Sequence, residues 1–219
     1  MAMVYASHAS ATPSGGTTIT INKPTGVVEG DVLIAMLGVA GDGNNPIINS
    51  TPGGWPLVGF GQAGASSQRR AGVWYKIAGA SEPSSYQWST NQAINNAVGV
   101  IARYTPQLPS APPGRVDAAA MGDNANPAVA PSVNAVTDAP TLISLFSSTS
   151  PGDSVSGMTE RVAIPGTLTG VWIYDELLSG SGATGTRTWL NQGSSGRGWN
   201  VAISAENVVE ATNRIRMMI

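Results

Sequence analysis

Short apolar runs alternate with Gly- and Pro-rich turns along the whole chain, the punctuation of β-strands. "TTITI" at 17–21 alternates and predicts a half-buried strand. "DVLIAMLGVA" at 31–40 is apolar at both sets of alternating positions, which predicts a central strand covered on both faces. "WPLVGFG" (55–61), "AGVWYKIA" (71–78), "SYQWS" (85–89) and "NAVGVIARY" (96–104) predict further strands. Few helices are expected. The Ala-rich stretch at 116–121 is short and follows the Pro-rich "TPQLPSAPPGR".

The second part of the chain retraces this order. "PSVNAV" (131–136) takes the place of the first strand and "APTLISLFS" (139–147) that of the buried one. "GMTERVAI" (157–164), "GVWIYDEL" (170–177), "TRTWL" (186–190) and "GWNVAISAENV" (198–208) follow in matching order. The phrase Gly-Val-Trp occurs at 72–74 and again at 170–172. The tryptophans divide into Trp55, Trp74, Trp88 and Trp172, Trp189, Trp199. The expected fold is all-β: a jelly-roll-like sandwich of two antiparallel sheets with an internal pseudo-twofold repeat. Its halves are 17–104 and 132–206, joined by a linker at 105–131, with 105–114 the crossing connection. Two tandem small sandwiches are the alternative. One shared core is favoured, because a half-chain unit without disulfides buries little of its surface.

Charged residues make up 11% of the 219, against about 25% in an average domain, so Ser, Thr, Asn, Gln and Gly must coat the surface. Net charge is −2 and the basic residues are scattered, which argues against a nucleic-acid groove. The absence of cysteine excludes disulfides and thiolate metal sites. The first residues, "MAMVYASHASATPSGG", lack the basic start and apolar core of a secretory signal. "VLIAMLGVAG" falls short of the roughly 20 residues of a membrane span. A chain made in a cytoplasm and soluble there is expected.

No cluster announces a reaction. The single histidine, His8, has no carboxylate beside it in sequence to form a triad. "GDGNNP" (41–46) offers Asp42 alone where a calcium loop needs several carboxylates. "PGDSVSG" (151–157) looks like a GDS-type hydrolase start, but the late Asp-x-x-His of those enzymes is missing. Asp175 and Glu176 are adjacent on a predicted strand and point to opposite faces, so they cannot share a proton. No catalytic, cofactor-binding or metal-ligating residue is expected, and no enzyme. The tryptophans allow one sharper reading. Trp55, between Gly-Gly and Pro, and Trp199, after "SSGRG", stand near loops, where exposed rings would stack on sugars.

"GVVEGDVLIAMLGV" (26–39), "PGGWPLVG" (52–59), "VWYKIAGASEPSSYQW" (73–88), "GMTERV" (157–162) and "GATGTRT" (182–188) resemble β-sandwich virion structural proteins of tailed phages. That group includes capsid decoration or cement proteins and minor tail or fibre-associated proteins. The resemblance spans nearly the whole chain, through turn-and-strand phrases. It implies a non-enzymatic, oligomeric virion component without cofactor. The first expectation is a decoration protein that binds the outer shell at subunit junctions. Its partner would be the major capsid protein or another virion protein, with a trimer as the assumed oligomer and neither nucleic acid nor membrane as partner. The alternative is a tail or fibre component that binds host-surface glycan.

Two segments are candidate contacts. "NRIRMMI" (213–219) sets Ile215, Met217 and Ile219 against Arg214, Arg216 and Met218, a pattern suited to adding a strand to a neighbour. Near the start, Met3, Val4 and Tyr5 are expected to dock on a partner likewise.

Overall fold

The structure, a computed structural model, describes residues 1–41, 45–108, 111, 113–190 and 194–205. The first half forms β1 (Met3–Ala11), β2 (Thr18–Asn22), β3 (Val32–Gly41), β4 (Ile48–Ser50), β5 (Leu57–Gln62), β6 (Arg69–Ile77), β7 (Ser85–Thr90) and β8 (Ile94–Pro106). The second half forms β9 (Gly114–Met121), β10 (Ala128–Ala130), β11 (Asn134–Ala135), β12 (Thr141–Ser148) and β13 (Thr159–Ile164). It continues with β14 (Gly170–Leu177), β15 (Gly182–Ala183), β16 (Arg187–Trp189) and β17 (Gly196–Ala205). Among the described residues there is no helix. The fold is all-β with antiparallel sheets packed face to face, as the pattern predicts.

Each half contributes one five-stranded sheet. The first runs β1-β8-β3-β6-β5 and the second β9-β17-β12-β14-β13. Both sheets therefore have the same order: first strand, last strand, long central strand, then the two members of a hairpin. Smaller sheets, β2-β7-β4 in the first half and β10-β16 with β11-β15 in the second, cover their outer faces.

Alternation along each strand sorts the side chains into separate cores. On β3, Val32, Ile34 and Met36 face the other large sheet, while Leu33, Ala35, Leu37 and Val39 face the small one. On β12, Ile143 and Leu145 point inward and Leu142 and Phe146 outward. The central core is common to both halves and joins Val73, Val100 and Tyr104 to Ile173, Trp199 and Val201. A strand buried on both faces carries no polar alternation, hence the continuous apolar runs at β3 and β12.

The twin Gly-Val-Trp phrases occupy corresponding strands, β6 and β14. In each, Val points to the central core and Trp to the outer one. Gly72 lies on the face that Trp74 covers, and a Cβ there would stand 2.7 Å from the indole ring. At Gly170 the same atom would lie 2.5 Å from the ring of Trp172. In both places glycine leaves the space into which the indole two residues on folds back. Trp74 then meets Trp88 with ring centres 6.3 Å apart, and Trp172 meets Trp189 at 4.8 Å.

Two boundaries differ from the pattern-based reading. β9 lies inside the stretch expected to be a linker, and the Ala-rich 116–121 forms an extended edge strand paired with β17. β1 precedes the expected first half and pairs with β8 along its length. In each half the edge strand beside the last one, β1 or β9, is absent from the pattern-based reading, as are the short strands β4, β10 and β15.

Candidate functional site

At one end of the molecule the ends of β6, β8, β14 and β17 meet the beginnings of β1, β3, β9 and β12. Val32 pairs with both Ile77 and Tyr104, and Met3 with Pro106. Thr141 pairs with Leu177 and Ile203, and Ala205 with Gly114. Hydrogen bonds tie the halves together here. Thr141 Oγ1 donates to Met3 O at 2.5 Å, Gly114 N to Gly30 O at 2.7 Å and Ala205 N to Met1 O at 2.9 Å.

Two adjoining cavities open on this end. The larger, about 720 Å³, is lined by Val28, Glu29, Ile77, Leu108, Ala111 and Pro113 among others. The smaller, about 120 Å³, is lined by Val4, Tyr5, Thr141, Arg161, Asp175 and Leu177 among others. Gln107 lines both, held by its own N–H to Ala2 O. Around them stand four large apolar side chains in the open: Val4 at 40% exposure, Val28 at 56%, Leu108 at 54% and Leu177 at 62%. Among the described residues the other exposed large apolar side chains, Ile47, Leu57, Val136 and Leu190, line neither cavity.

The smaller cavity carries the charge. Arg161 Nε donates to Asp175 Oδ1 at 2.9 Å, and the guanidinium lies over the Tyr5 ring at 5.5 Å. Asp175 is buried, and that burial raises its pKa above the ordinary value despite the opposing pull of Arg161 and Tyr104. The fully buried Tyr104 hydroxyl is pushed well above its ordinary pKa by burial first and the Asp175 charge second. Tyr5 is raised as well, by burial, and its hydroxyl shares a 2.6 Å hydrogen bond with His8 Nδ1. Glu176, next along β14, pairs instead with Arg187. The two neighbouring carboxylates thus serve different arginines, and their arrangement pins strands together. Among the described residues no three His, Cys, Asp or Glu side chains gather where they could hold a metal ion.

The glycan-stacking pair is corrected by the structure. Trp55 is 4% exposed and Trp199 fully buried. The Gly-Gly-Trp-Pro turn folds Trp55 into the outer core, edge-on to Tyr86 and Trp88 at 5.0 and 5.4 Å. Trp199 points between the large sheets and donates through Nε1 to Gly59 O at 3.2 Å. Neither offers a ring face to a sugar.

Met3 is a correction of the same kind, since it is buried in the chain's own central core, and Tyr5 packs half-buried against that core. Val4, between them in the strand, faces outward. Arg214, Ile215, Arg216, Met217, Met218 and Ile219 lie outside the described residues, as does Asp42. Sequence reasoning missed Val28, Leu108 and Leu177. Their signal was faint: single apolar residues among turn-forming Gly, Pro and Ser or at a strand end.

Comparison with protein-family models, curated proteins and solved structures finds no match to this chain.

Proposed function

We propose that the protein is a non-enzymatic structural component of a tailed-phage particle. In this reading it is a decoration protein that attaches to the outer shell at subunit junctions through the apolar end described above. The observation that carries the reading is the grouping of Val4, Val28, Leu108 and Leu177 around two adjoining cavities at one end. A group of large apolar side chains in water marks an interaction surface. Burying each fully would contribute roughly 1.5–3 kcal/mol. The resemblance of the strand and turn phrases to those of β-sandwich virion proteins suggests the particle context, and the low charge leaves little repulsion between copies. The partner is then the major capsid protein or another virion protein, with self-association into a trimer and Arg214–Ile219 as part of the contact. The alternative of a glycan-binding tail or fibre component rested on Trp55 and Trp199, and their burial removes that support.

Val4→Glu with Leu177→Glu tests the reading. Both side chains are already exposed, so the double variant keeps its thermal stability within a few degrees. Co-sedimentation with particles lacking the protein is expected to fall at least tenfold, since two charges must then be desolvated at the contact. Undiminished co-sedimentation by a folded double variant would contradict the proposed face.

A further inference from the structure

Seven arginines lie among the described residues. Four of them pair with carboxylates of the same chain: Arg103 with Asp31, Arg115 with Asp117, Arg161 with Asp175 and Arg187 with Glu176. The other three, Arg69, Arg70 and Arg197, have no carboxylate partner among the described residues. All three stand at the end of the molecule opposite the apolar one, where β3 and β5 finish and β6 and β17 begin. Ala40 pairs there with Arg69, Gln62 with Arg70 and Ser147 with Arg197. The ten residues of β3 separate the two ends, by about 30 Å at roughly 3.3 Å per residue.

The three side chains are half-buried and keep donors to spare. Arg197 lies against Gly61 and gives Nε to Gln62 O and Nη1 to Gly122 O, both at 2.7 Å, which leaves Nη2 uncommitted. Arg70 lies over the Phe60 ring at 5.9 Å and donates through Nη2 to Asn45 Oδ1 at 2.8 Å, while its Nε is buried without a partner. Arg69 sets its methylenes beside Gly64, and its guanidinium makes no hydrogen bond among the described residues. Burial lowers the Arg197 pKa; the charge of Asp123 opposes this and that of Arg70 adds to it. Asp123 is exposed and forms no ion pair with Arg197. Partly desolvated guanidinium groups that repel one another are costly without an anion. The chain provides one for each of its other described arginines and none here.

The layout selects the anion. Arg69 and Arg70 are neighbours on β6 and point to opposite faces, and Arg197 reaches the same end from β17. Charge is therefore spread across the end, which suits several carboxylates along a segment better than one small ion. Three arginines on a chain of net charge −2 suit a nucleic-acid backbone poorly, since affinity there grows with the number of phosphates neutralised. Arginine meets a carboxylate through two parallel hydrogen bonds and is enriched at protein interfaces.

We propose that Arg69, Arg70 and Arg197 form a docking site for an acidic segment of a partner protein, whose carboxylates take the place that Asp31, Asp117, Asp175 and Glu176 fill for the other arginines. The site goes beyond the virion reading and lies opposite the face used there, so either can fail without the other.

Full-length protein is titrated at low salt with a capped glutamate hexapeptide, and the arginine Nε–Hε signals are followed by NMR. Those of Arg69, Arg70 and Arg197 are expected to shift and those of the four ion-paired arginines to stay in place. The peptide is expected to bind Arg69→Gln with Arg70→Gln roughly tenfold more weakly or worse, and a glutamine hexapeptide to leave wild type unchanged. The wild-type shifts decide by themselves should the double variant fail to fold. No shift at the three arginines, or shifts as large at the paired ones, would overturn the proposal. Tighter binding of a thymidine oligonucleotide of equal charge would overturn it in favour of a nucleic acid. Equal shifts from inorganic phosphate at equal charge would overturn it in favour of a small-anion site.

Discussion

Asp175 is held at the seam between the two large sheets, where solvation is poor and Arg161 is its ion partner. Arg161, Tyr104 and Tyr5 face it, and Glu176 follows it on β14. Its raised pKa has a definite consequence for stability. The folded chain holds this proton more tightly than the unfolded chain, whose carboxyl titrates near the ordinary value of 3.8. Just above that pH the native state therefore binds more protons, and the contribution of this group to stability falls as pH rises. Glu82 works in the opposite sense. Burial pushes its pKa up, but hydrogen bonds from Gly79 N–H and Tyr86 and the charge of Lys76 outweigh that and lower it. Its contribution is present at neutral pH and lost as pH falls below the carboxylate range. Asp175→Asn should abolish the first trend and keep the second. Urea unfolding between pH 3.5 and 6 is expected to show wild type losing stability relative to Asp175→Asn as pH rises. A difference that stays flat would show that the Arg161 pair cancels burial, and one that grows in favour of wild type that the pair outweighs it.

At the scale of the strand, the Gly-Val-Trp phrase gives the sharpest test of packing. A methyl group at Gly72 would strike the Trp74 and Phe60 rings, both at 2.7 Å. At Gly170 it would strike Trp172 and approach Ile164 O at 3.1 Å. Gly72→Ala and Gly170→Ala are each expected to destabilise by about 1–3 kcal/mol, the usual effect of overpacking a filled core. Calorimetry or urea unfolding checks this, and a neutral outcome at both sites would show that the indoles have room to move. The phrase was legible as a repeat in the sequence because packing constrains it twice over. The long runs at β3 and β12 were legible for a related reason: burial on both faces leaves no polar position to blur them. The edge strands were harder. β9 reads "GRVDAAAM", and its alanines favour helix in isolation. Pairing with β17 overrides that preference. The orientation of Trp199 was also hidden locally, because its hydrogen-bond partner Gly59 belongs to the other half. Leu177 and Val28 belong to one surface only once the strand ends have been brought together.

On the scale of the whole molecule, the layers run small sheet, large sheet, large sheet, small sheets, with the core common to both halves in the middle. Contacts between backbone and side chain reinforce that middle. Arg197 Nε donates to Gln62 O and its Nη1 to Gly122 O, both at 2.7 Å. Asn124 both accepts from Gly64 N and donates to Gly64 O, each at 2.9 Å. A body braced in this way would hold the proposed attachment face at the apolar end rigid. If the protein decorates a shell, it is present in proportion to the shell subunits. Quantitative mass spectrometry of purified particles from the host that encodes it tests this most directly. The account predicts a fixed molar ratio to the major capsid protein, with on the order of a hundred or more copies per particle. Absence from particles, or only a few copies at the tail, would contradict it.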